Sequence, residues 1–465
     1  MDVKKILKDP QTYFASLKTP PSIQVCNQLL ALQQRNRVLA KKLKALQLDK
    51  GHIAHSFRSA KADPTAMDRL KPQMQQISIN VAEAESALKK ILLEAASLLQ
   101  HQAPAAKPLL PKRFTHKQDR LGKGVQFRWL TDPQEPLWQI FVEQSVHTSV
   151  YHLPAIQTAI QKVFGHSSSV LLALDEGTVV GGLPLTLVCS QLFGRHGVSV
   201  PFFNYGGPLT AYRDVAEKLI EQSRTALVAY ALEQVEIRTT TAGLPFPCSD
   251  RKVSMIRRLP ALDGELDREL GSKVRAQVNR ALPHRPCVRF GGGELLDDFY
   301  SVFAINMRDL GTPVYGKAWF AHLLAAQELT TTLVVCYIQD KPVSVGFLLG
   351  YRDTLEIPWA STLRSANGLN MNMWMYRQIL SYSIAQGYGY FDFGRSTQDG
   401  STYRFKKQWG ALPVPHYWYY QTSAGIVLMA HNPDNLKFKP LIAIWKRLPV
   451  WLTKLIGPAI VKNIS

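Results

Sequence analysis

The chain has 465 residues, of which 46% are hydrophobic, 10% aromatic and 19% charged. This is the composition of a globular protein, and it excludes a collagen-like or wholly disordered chain. Lys and Arg number 55 against 35 Asp and Glu, which gives a formal net charge of +20. Such an excess of positive charge indicates an anionic partner, namely nucleic acid, a membrane surface or an acidic glycan. The length predicts about three domains, at roughly 150 residues each.

Cysteine usage and the N-terminus bear on the compartment. The five cysteines (Cys26, Cys189, Cys248, Cys287 and Cys336) are scattered and form no CxxC or Cys/His ligand spacing. We therefore predict neither a disulfide framework nor a metal site, and a reducing compartment. The first residues lack the apolar core of a signal peptide, and no run of about 18 apolar residues occurs. These features predict a cytoplasmic protein, with peripheral contact at the inner face of a membrane as a further option.

The first quarter of the chain is the most basic part and has its own periodicity. Residues 1–125 contain 22 Lys and Arg against 9 Asp and Glu. Apolar residues recur at steps of three and four from Leu29 to Phe57, and again from Met74 to Leu98. Such steps are typical of coiled-coil seams, and the Asp63-Pro64 break between them favours a turn. We predict an antiparallel two-helix coiled-coil arm at 21–102, after a tail at 1–20 and before a Pro/Ala/Lys-rich linker at 103–125.

Basic side chains of the arm lie off the apolar seam. One interpretation is a solvated helical face. The other is a phosphate-binding surface, because a long basic helical arm resembles the tRNA-binding arm of seryl-tRNA synthetases. That resemblance implies charged tRNA as a partner, and it predicts contacts through Arg35, Arg37, Lys41, Lys42, Lys44 and Arg58.

The rest of the chain contains two similar segments. Ser169–Val188 and Leu333–Tyr351 each read as two strands around a turn, and they align without a gap. Each is followed by further strand-like residues, a helix and a strand. The predicted helices are Arg213–Gln234 and Asn372–Gly387, and the predicted strands that follow them are Val235–Arg238 and Tyr390–Arg395. This order is found in the GNAT acetyltransferase superfamily, so we predict an α/β (α+β) fold with tandem GNAT-like domains at 126–258 and 259–430.

Several motifs narrow the resemblance. FDFGRSTQDGSTYRFKKQWGALP (Phe391 to Pro413) resembles the signature of FemAB-like proteins, particularly those encoded beside bacterial exopolysaccharide and exosortase clusters. Supporting motifs are SKVRAQVNRA, NMRDLGTPVYG and FFNYGGPL, and the same sequences resemble the BioF-like acetyltransferase group. FemAB-like proteins imply transfer of an amino acid from aminoacyl-tRNA to the amine of a peptidoglycan precursor. Their helical arm lies within a domain, whereas here it is N-terminal.

The donor-binding loops depart from the acetyl-CoA pattern. GNAT enzymes bind the CoA pyrophosphate with an RxxGxG-type loop at a helix N-terminus. RSANGLNMN (Arg364 to Asn372) has the arginine but not the glycine spacing, and NYGGPLTAY (Asn204 to Tyr212) lacks the arginine. These departures favour a donor other than CoA and no cofactor, with acetyl-CoA or another acyl-CoA as the alternative.

Candidate catalytic residues follow from the FemAB-like motif. Lys406, in an extended segment, is expected to face the donor, with Lys407 pointing elsewhere. Asp392 is a candidate proton acceptor or a satisfied buried carboxylate, and Tyr403 is a candidate acceptor-orienting residue. Glu356 is a weaker candidate of the same kind as Asp392. Candidate substrate- and donor-binding residues are Arg395, Ser396, Thr397, Arg308 (beside a loop entering the cleft), Lys273, Arg275, Arg364, Asn372 and Tyr205.

The C-terminal segment 431–465 mixes Trp, Leu and Ile with lysines. It is expected either to pack on its own domain or to lie on an anionic membrane surface. The sequence thus leads to three hypotheses. The first is an aminoacyl-tRNA-dependent transferase that acts on a cell-envelope precursor. The second is an acyl-CoA-dependent N-acyltransferase that acts on an exopolysaccharide or envelope component. The third is a non-catalytic tRNA or envelope adaptor with the same fold.

Overall fold

The computed structural model describes residues 9–10, 23–59, 64–100, 108–114, 124–132, 135–190, 194–422 and 439–464. The chain divides into two compact units, Met1–Lys107 and Pro108–Ser465. We call the first the arm and the second the sheet unit, and we describe each by itself.

The arm is a helical hairpin of α1 (Ile23–Ser59) and α2 (Pro64–Gln100). Arg35, early in α1, forms an ion pair of 3.4 Å with Glu94, late in α2, so the helices are antiparallel. The predicted seams are the buried faces: Leu29, Leu32, Ile77, Val81, Ala84, Ile91 and Ala95 are buried. Proline at the first position of α2 fits the helix start, where its missing N–H costs nothing. Residues 60–63, on which part of the predicted turn falls, lie outside the described residues.

Thirteen strands form one sheet in the described residues of the sheet unit. They are β1 (Gln126–Leu130), β2 (Ser167–Asp175), β3 (Thr178–Ser190), β4 (Gly194–Val198), β5 (Leu209–Thr210), β6 (Gln234–Thr239), β7 (Cys248–Arg258), β8 (Cys287–Gly291), β9 (Thr330–Ile338), β10 (Lys341–Tyr351), β11 (Thr354–Thr362), β12 (Tyr390–Thr397) and β13 (Leu412–Thr422). The order across the sheet is β1-β2-β3-β4-β6-β13-β7-β12-β11-β10-β9-β8, and β5 pairs with β3.

Helices of the sheet unit connect these strands. They are α3 (Pro136–Gln144), α4 (Pro154–Phe164), α5 (Arg213–Gln222), α6 (Thr225–Ala229), α7 (Asp263–Glu269), α8 (Ser272–Asn279), α9 (Leu296–Leu310), α10 (Lys317–Ala325), α11 (Arg364–Asn367), α12 (Met371–Ala385), α13 (Ser401–Lys407), α14 (Lys439–Trp445) and α15 (Val450–Val461). Short 3-10 turns occur at Lys112–Phe114, Val150–His152, Leu282–His284 and Gly293–Leu295. Within the described residues, no helix is long and apolar enough to span a bilayer.

The sheet order shows the duplication. We call β1–β7 the first repeat and β8–β13 the second repeat. From the two edges inward, β1-β2-β3-β4-β6 mirrors β8-β9-β10-β11-β12. The last strand of each repeat then crosses to the other, because β13 pairs with β6 and β7 pairs with β12. This exchange joins the two repeats into one sheet.

Each repeat contains one pair of parallel strands that diverge. In the first repeat, β4 and β6 pair over three positions, ending at Val198 and Glu236. In the second, β11 and β12 also pair over three positions, ending at Glu356 and Asp392. Beyond that point β11 continues against β10, and β12 continues against β7. The divergence opens a gap in the middle of the sheet.

Both predicted hairpins are confirmed. Glu176 and Gly177 form the turn between β2 and β3, and Gln339 and Asp340 form the turn between β9 and β10, all with positive φ. The long helix predicted at Arg213–Gln234 is wrong in extent, because α5 ends at Gln222 and the short α6 follows. The Ser223 hydroxyl donates to the carbonyl oxygen of Ile220 at 2.6 Å, a local bond that favours a helix end.

A second correction concerns Lys406 and Lys407. They lie in helix α13 and not in an extended segment. The two side chains still point in different directions, since Lys406 is buried and Lys407 is exposed.

Candidate active site

Two carboxylates face each other where β11 and β12 diverge. Glu356 and Asp392 are register partners on these parallel strands, and both are buried. Register partners on neighbouring strands point to the same face of a sheet, with backbones about 4.8 Å apart. The sheet therefore brings two buried acids together at the centre of the second repeat.

Residues of the first repeat cover Glu356. The Tyr151 hydroxyl donates a short hydrogen bond to Oε1 of Glu356. The Asn204 amide donates to the same oxygen at 3.4 Å. The Tyr205 ring lies 5.3 Å from that of Tyr151. The site is thus assembled from both repeats, since the first supplies polar side chains to an acid of the second.

Asp392 is bounded by cations from two other segments. The guanidinium of Arg113 lies 4.0 Å from Oδ2 of Asp392, and the Arg113 side chain is only 9% exposed. Oδ1 of Asp392 accepts a hydrogen bond of 2.8 Å from the backbone N–H of Gly394. Arg113 comes from the segment that its composition predicted to be a linker, and no sequence motif marked it.

Lys406 supports the strand that carries Asp392. Its ammonium donates to the carbonyl oxygens of Gly394 at 3.0 Å and Arg395 at 2.8 Å. The β12–β7 register shifts between Asp392 and Arg395, and Gly394 has φ +76°. A side chain at Gly394 would meet the carbonyl oxygen of Ile357 at 3.1 Å, which explains the glycine. Lys406 therefore stabilises a β-bulge with at least two of its three donors.

Burial and mutual repulsion shift the proton affinities of these groups. Burial, together with the charge of Asp392, raises the pKa of Glu356 to about 8. Burial also raises the pKa of Asp392, although Arg113 opposes this effect. Burial lowers the pKa of Lys406 to about 8, against the attraction of both acids. A carboxyl with a pKa near 8 is suited to accept a proton at neutral to alkaline pH.

A cluster of two arginines and an aromatic ring lies near the carboxylate pair. Arg395 is exposed, and its guanidinium carbon lies 5.6 Å from the centre of the Trp418 ring. Arg238 lies 4.4 Å from the same ring. His416, two residues before Trp418, is buried, and burial lowers its pKa to about 3, so it is neutral. Arg395 is thus an accessible cation, three positions past Asp392 on the bulge and suited to an anionic substrate group.

In the first repeat, the acid at the corresponding position is already paired with an arginine. Glu236, buried at the end of the β4–β6 pairing, accepts a hydrogen bond of 2.6 Å from Nε of Arg238 on its own strand. Arg238 also donates to the carbonyl oxygen of Phe203 at 2.9 Å. The register partner of Glu236 on β4 is Val198, so this repeat has no second acid at the divergence point.

The structure places the predicted site residues in two groups. Asp392, Lys406, Arg395, Ser396, Thr397 and Tyr205 belong to the central region just described. Thr397 accepts a hydrogen bond of 2.8 Å from Lys252. Tyr403 does not face this region, because it packs in the apolar cluster that contains Phe393 and Trp409.

The remaining predicted residues have other partners. Arg308 lies in helix α9 and not in a loop. Its guanidinium donates to the Asp309 carboxylate at 2.6 Å and to the carbonyl oxygen of Leu448 at 3.2 Å. Arg364 donates to the carbonyl oxygen of Asp309 at 2.6 Å. Arg275 donates to the carbonyl oxygen of Asp267 at 2.8 Å. Lys273 is exposed. Their assignment to substrate binding stays a prediction.

The resemblance to GNAT enzymes predicts that a CoA pyrophosphate would bind at the N-terminus of α12. Its first turn contains Met371, Asn372 and Met373, and both methionines are buried. Asn370, the residue before it, has φ 56°. This turn presents mainly apolar side chains, in keeping with the irregular glycine spacing of the loop before it.

Sequence reasoning missed three residues of the site. Arg113, Tyr151 and Asn204 reach Asp392 or Glu356 from positions more than 150 residues away in the chain. No local signal marks such contacts. Glu356 was noticed in sequence, but only the pairing of β11 with β12 shows that it faces Asp392.

A small pocket shares Arg113 and Tyr205 with the region around the carboxylates. It is lined by Arg113, Phe114, His147, His152, Tyr205, Gly206, Gly207, Pro208, Thr239 and Thr240. His152 is fixed as a donor at Nε2, because Nδ1 accepts from the backbone N–H of Ser149 and Nε2 donates to the carbonyl oxygen of Gly207. Among the described residues, no group of three or more His, Cys, Asp or Glu side chains is arranged to hold a metal ion.

Comparisons with known proteins give one family match and a set of similar solved structures. Residues 272–407 match the acetyltransferase (GNAT) domain family. No curated protein matches the chain in sequence. Similar solved structures include FemX, with 13% identity over 64% of this chain and 97% of FemX, at a TM-score of 0.47. L-PGS from Bacillus licheniformis has 13% identity over 70% of this chain and 98% of L-PGS, at a TM-score of 0.44. A tandem GNAT protein from the clavulanic acid biosynthesis pathway has 10% identity over 65% of this chain and 100% of its own, at a TM-score of 0.42.

The class follows from the fold and the family match. The chain is an acyltransferase with a GNAT domain, and the matched residues include the whole of β11 and β12 with their carboxylate pair. The predicted GNAT-like domain of the second repeat is confirmed by the family match. The finer resemblance to FemAB-like proteins stays a prediction.

Proposed function

We propose that the protein forms an amide bond by transferring an aminoacyl group from charged tRNA to an amine of a cell-envelope precursor, with Glu356 as the general base. The observation that carries this proposal is the buried Glu356–Asp392 pair at the divergence of β11 and β12. Aminolysis of an ester requires an amine that loses a proton as it attacks the carbonyl carbon. A carboxylate with a raised pKa, bonded to the Tyr151 hydroxyl, suits that task.

The neighbouring residues divide the remaining work. Arg395 offers an accessible positive charge for a phosphate of the donor or a carboxylate of the acceptor. Lys406 and Arg113 balance the two acids, and Lys406 also holds the bulge that directs Arg395. The proton taken by Glu356 leaves to the departing ribose hydroxyl or to water, so the base is restored after each turnover.

Two features support tRNA over acyl-CoA as the donor. The first turn of α12 has buried methionines where a pyrophosphate would bind. The arm presents Arg35, Arg37, Lys41, Lys42 and Lys44, all exposed, on one helix. The side chain of Arg58, which was predicted to join them, lies outside the described residues. Phosphate contacts of this kind make binding strongly dependent on salt.

The donor is tested by one transfer assay. Full-length protein is incubated with envelope extract and either charged tRNA or acetyl-CoA, with and without RNase. We expect transfer from charged tRNA that RNase abolishes. Transfer from acetyl-CoA that RNase leaves unchanged would contradict the proposal and establish the acyl-CoA alternative, which the acetyltransferase family match favours.

The arm is tested with a matched pair of variants. In one, the five exposed cations of α1 are replaced by Gln. In the control, five exposed cations of the sheet unit are replaced in the same way: Arg224, Arg268, Arg280, Arg285 and Lys341. The proposal predicts that only the first variant loses tRNA binding and its salt dependence. An equal loss in both would show that total charge matters and the arm does not.

The C-terminal helices suit an acceptor that is carried on a membrane. Trp451 and Leu455 on α15 are 67% and 70% exposed, and Leu441 and Ile444 on α14 are also exposed. The described segment 439–464 contains five Lys and Arg and no Asp or Glu. Apolar side chains among cations favour an anionic lipid surface, with about 1 kcal/mol per cation. We therefore propose that the protein contacts a membrane face during transfer.

Vesicle sedimentation tests this surface. The double variant Trp451→Ser/Leu455→Ser is compared with Val228→Ser/Leu262→Ser, which alters exposed apolar residues elsewhere in the sheet unit. We expect full-length protein to bind vesicles of phosphatidylcholine and phosphatidylglycerol but not phosphatidylcholine alone, and only the first variant to lose binding. Concentration-dependent self-association through the same residues would assign the surface to a second copy of the chain instead.

A further inference from the structure

The segment that follows the arm is built into the catalytic region. The Tyr390 hydroxyl, on β12, donates to the carbonyl oxygen of Pro108 at 2.8 Å. Leu110 and Phe114 pack against the cluster of Ile256, Tyr390 and Val414. A ring nitrogen of His147 donates to the carbonyl oxygen of Arg113 at 3.3 Å. Residues 108–114 are thus fixed at several points.

This segment delivers Arg113 to the start of the divergent strands. Its guanidinium donates to the Thr354 hydroxyl at 2.8 Å, and Thr354 is the first residue of β11. The same guanidinium lies 4.0 Å from Asp392 on β12, and its carbon lies 4.7 Å from the centre of the Phe114 ring. Arg113 therefore contacts both strands of the pair that carries the two acids.

The placement of Arg113 makes the two acids unequal. Two carboxylates that face each other in a buried site do not both ionise readily. The acid beside a buried guanidinium is the one stabilised as an anion. Arg113 is within ion-pair distance of Asp392, whereas Glu356 accepts its side-chain hydrogen bonds from the neutral groups of Tyr151 and Asn204.

We propose that Arg113 is a positioning residue that holds Asp392 in its ionised form, so that Glu356 is the carboxylate that gains and loses the proton during catalysis. This inference rests on the proposed role of Glu356 as the base. Asp392 is then a fixed negative charge that keeps Glu356 a strong proton acceptor. The segment 108–114 is accordingly part of the active centre.

Other groups also face the Glu356–Asp392 pair, and substitution of Arg113 leaves them unchanged. They come from the 3-10 turn at Val150–His152, the loop after β4, strand β7 and helix α13, and they are Tyr151, Asn204, Tyr205, Ser254 and Lys406. Of these, only Lys406 carries a positive charge, and its ammonium is held by two backbone carbonyls. Lys406 therefore does not move to replace Arg113.

Infrared difference spectroscopy of the full-length protein tests the proposal without any substrate. Protonated carboxyl signals are followed as the pH is raised and assigned with Glu356→Gln and Asp392→Asn. In the wild type we expect one buried carboxylic acid to ionise in the alkaline range, and the signal to be absent in Glu356→Gln. In Arg113→Met we expect a second protonated carboxyl, from Asp392, with a titration shifted upward by about one to three pH units.

Two further variants make the result decisive. Arg113→Lys retains the charge and should keep Asp392 ionised. Arg113→Gln removes the charge but can still donate to the Thr354 hydroxyl, and it replaces Arg113→Met if that variant does not fold. Lys112→Met removes the adjacent, exposed cation and should titrate like the wild type. An Arg113→Met protein that folds with unchanged carboxyl titrations would overturn the proposal and leave Arg113 a structural residue. A shifted titration combined with full transfer activity in Glu356→Gln would overturn only the proposed base.

Discussion

The two divergent strand pairs have the same backbone and different chemistry. In both repeats, parallel pairing stops after three positions, and an acid stands at the last one: Glu236 in the first repeat and Asp392 in the second. In the first repeat the opposite residue is Val198, and in the second it is Glu356. A single exchange of residue type at one register position thus separates a site with one acid from a site with two.

The source of the balancing charge also differs. Glu236 has its cation two residues away on the same strand, in Arg238, at 2.6 Å. Two residues after Asp392 the chain has Gly394 instead of an arginine. The cations near Asp392 come from elsewhere: Arg113 from the segment 108–114 and Lys406 from helix α13. The Glu236 carboxylate is thus already occupied by a buried guanidinium of its own strand. The more distant cations of the second repeat leave Glu356 free to gain and lose a proton, and the comparison therefore assigns the chemistry to the second repeat.

The sharpest way to break this assignment is to remove the acids one at a time. Glu356→Gln should lower turnover by about 10²- to 10⁴-fold, the usual contribution of a general base, because the amide cannot accept the amine proton. Glu236→Gln should leave the turnover of the folded fraction nearly unchanged. Steady-state transfer assays on both variants check this, and the opposite ranking would move the active centre to the first repeat.

Lys406 provides the next largest effect. Lys406→Met should lower turnover by about 10²-fold, since it removes a charge that balances the site. It should also destabilise the fold by about 2 to 4 kcal/mol, because two buried carbonyls lose their donor and two acids lose a cation. The side chain is only 8% exposed, so the small cost typical of a surface substitution does not apply.

Lys407→Met is the matched control for Lys406. Lys407 is exposed, and its ammonium lies 5.9 Å from the centre of the Tyr403 ring. Its removal should cost about 0.5 kcal/mol and leave turnover unchanged. Equal losses of turnover in the two variants, measured beside their chemical denaturation curves, would show that the helix contributes only general positive charge.

The smallest effect on catalysis should come from breaking the first-repeat ion pair. Glu236→Ala leaves the buried Arg238 without its carboxylate, which should cost about 3 to 5 kcal/mol in the free energy of unfolding. Glu221→Ala, an exposed glutamate at the end of α5, should cost within about 0.5 kcal/mol. A Glu236→Ala protein as stable as the control would show that the closed ion pair does not stabilise the first repeat.

Local sequence patterns predicted much of the fold. Alternation and turn residues located both hairpins, and the three-and-four spacing located the arm helices. The duplication was visible because Ser169–Val188 aligns with Leu333–Tyr351. The exchange of β7 and β13 was not predictable, since it depends on pairings between strands far apart in the chain.

The site was predictable only where a motif marked it. Asp392, Arg395 and Lys406 lie within one FemAB-like run, which is why sequence found them together. Arg113 was hidden because prolines and lysines around it resemble a flexible linker, whereas its backbone and side chain are fixed by contacts with β11, β12 and His147. Tyr403 was expected to face the acceptor, but the helical turn of α13 directs it into the apolar core.

The central claim is that Glu356 accepts the proton, and the pH dependence of turnover tests it most directly. A base must be ionised to act, so turnover of the wild type should rise with pH and level off above the Glu356 pKa of about 8. Loss of the proton from Lys406 in the same range lowers the plateau but does not produce a rising limb. We predict that Glu356→Gln has low turnover without this rise. A rising limb of the same midpoint and amplitude in Glu356→Gln would contradict the account.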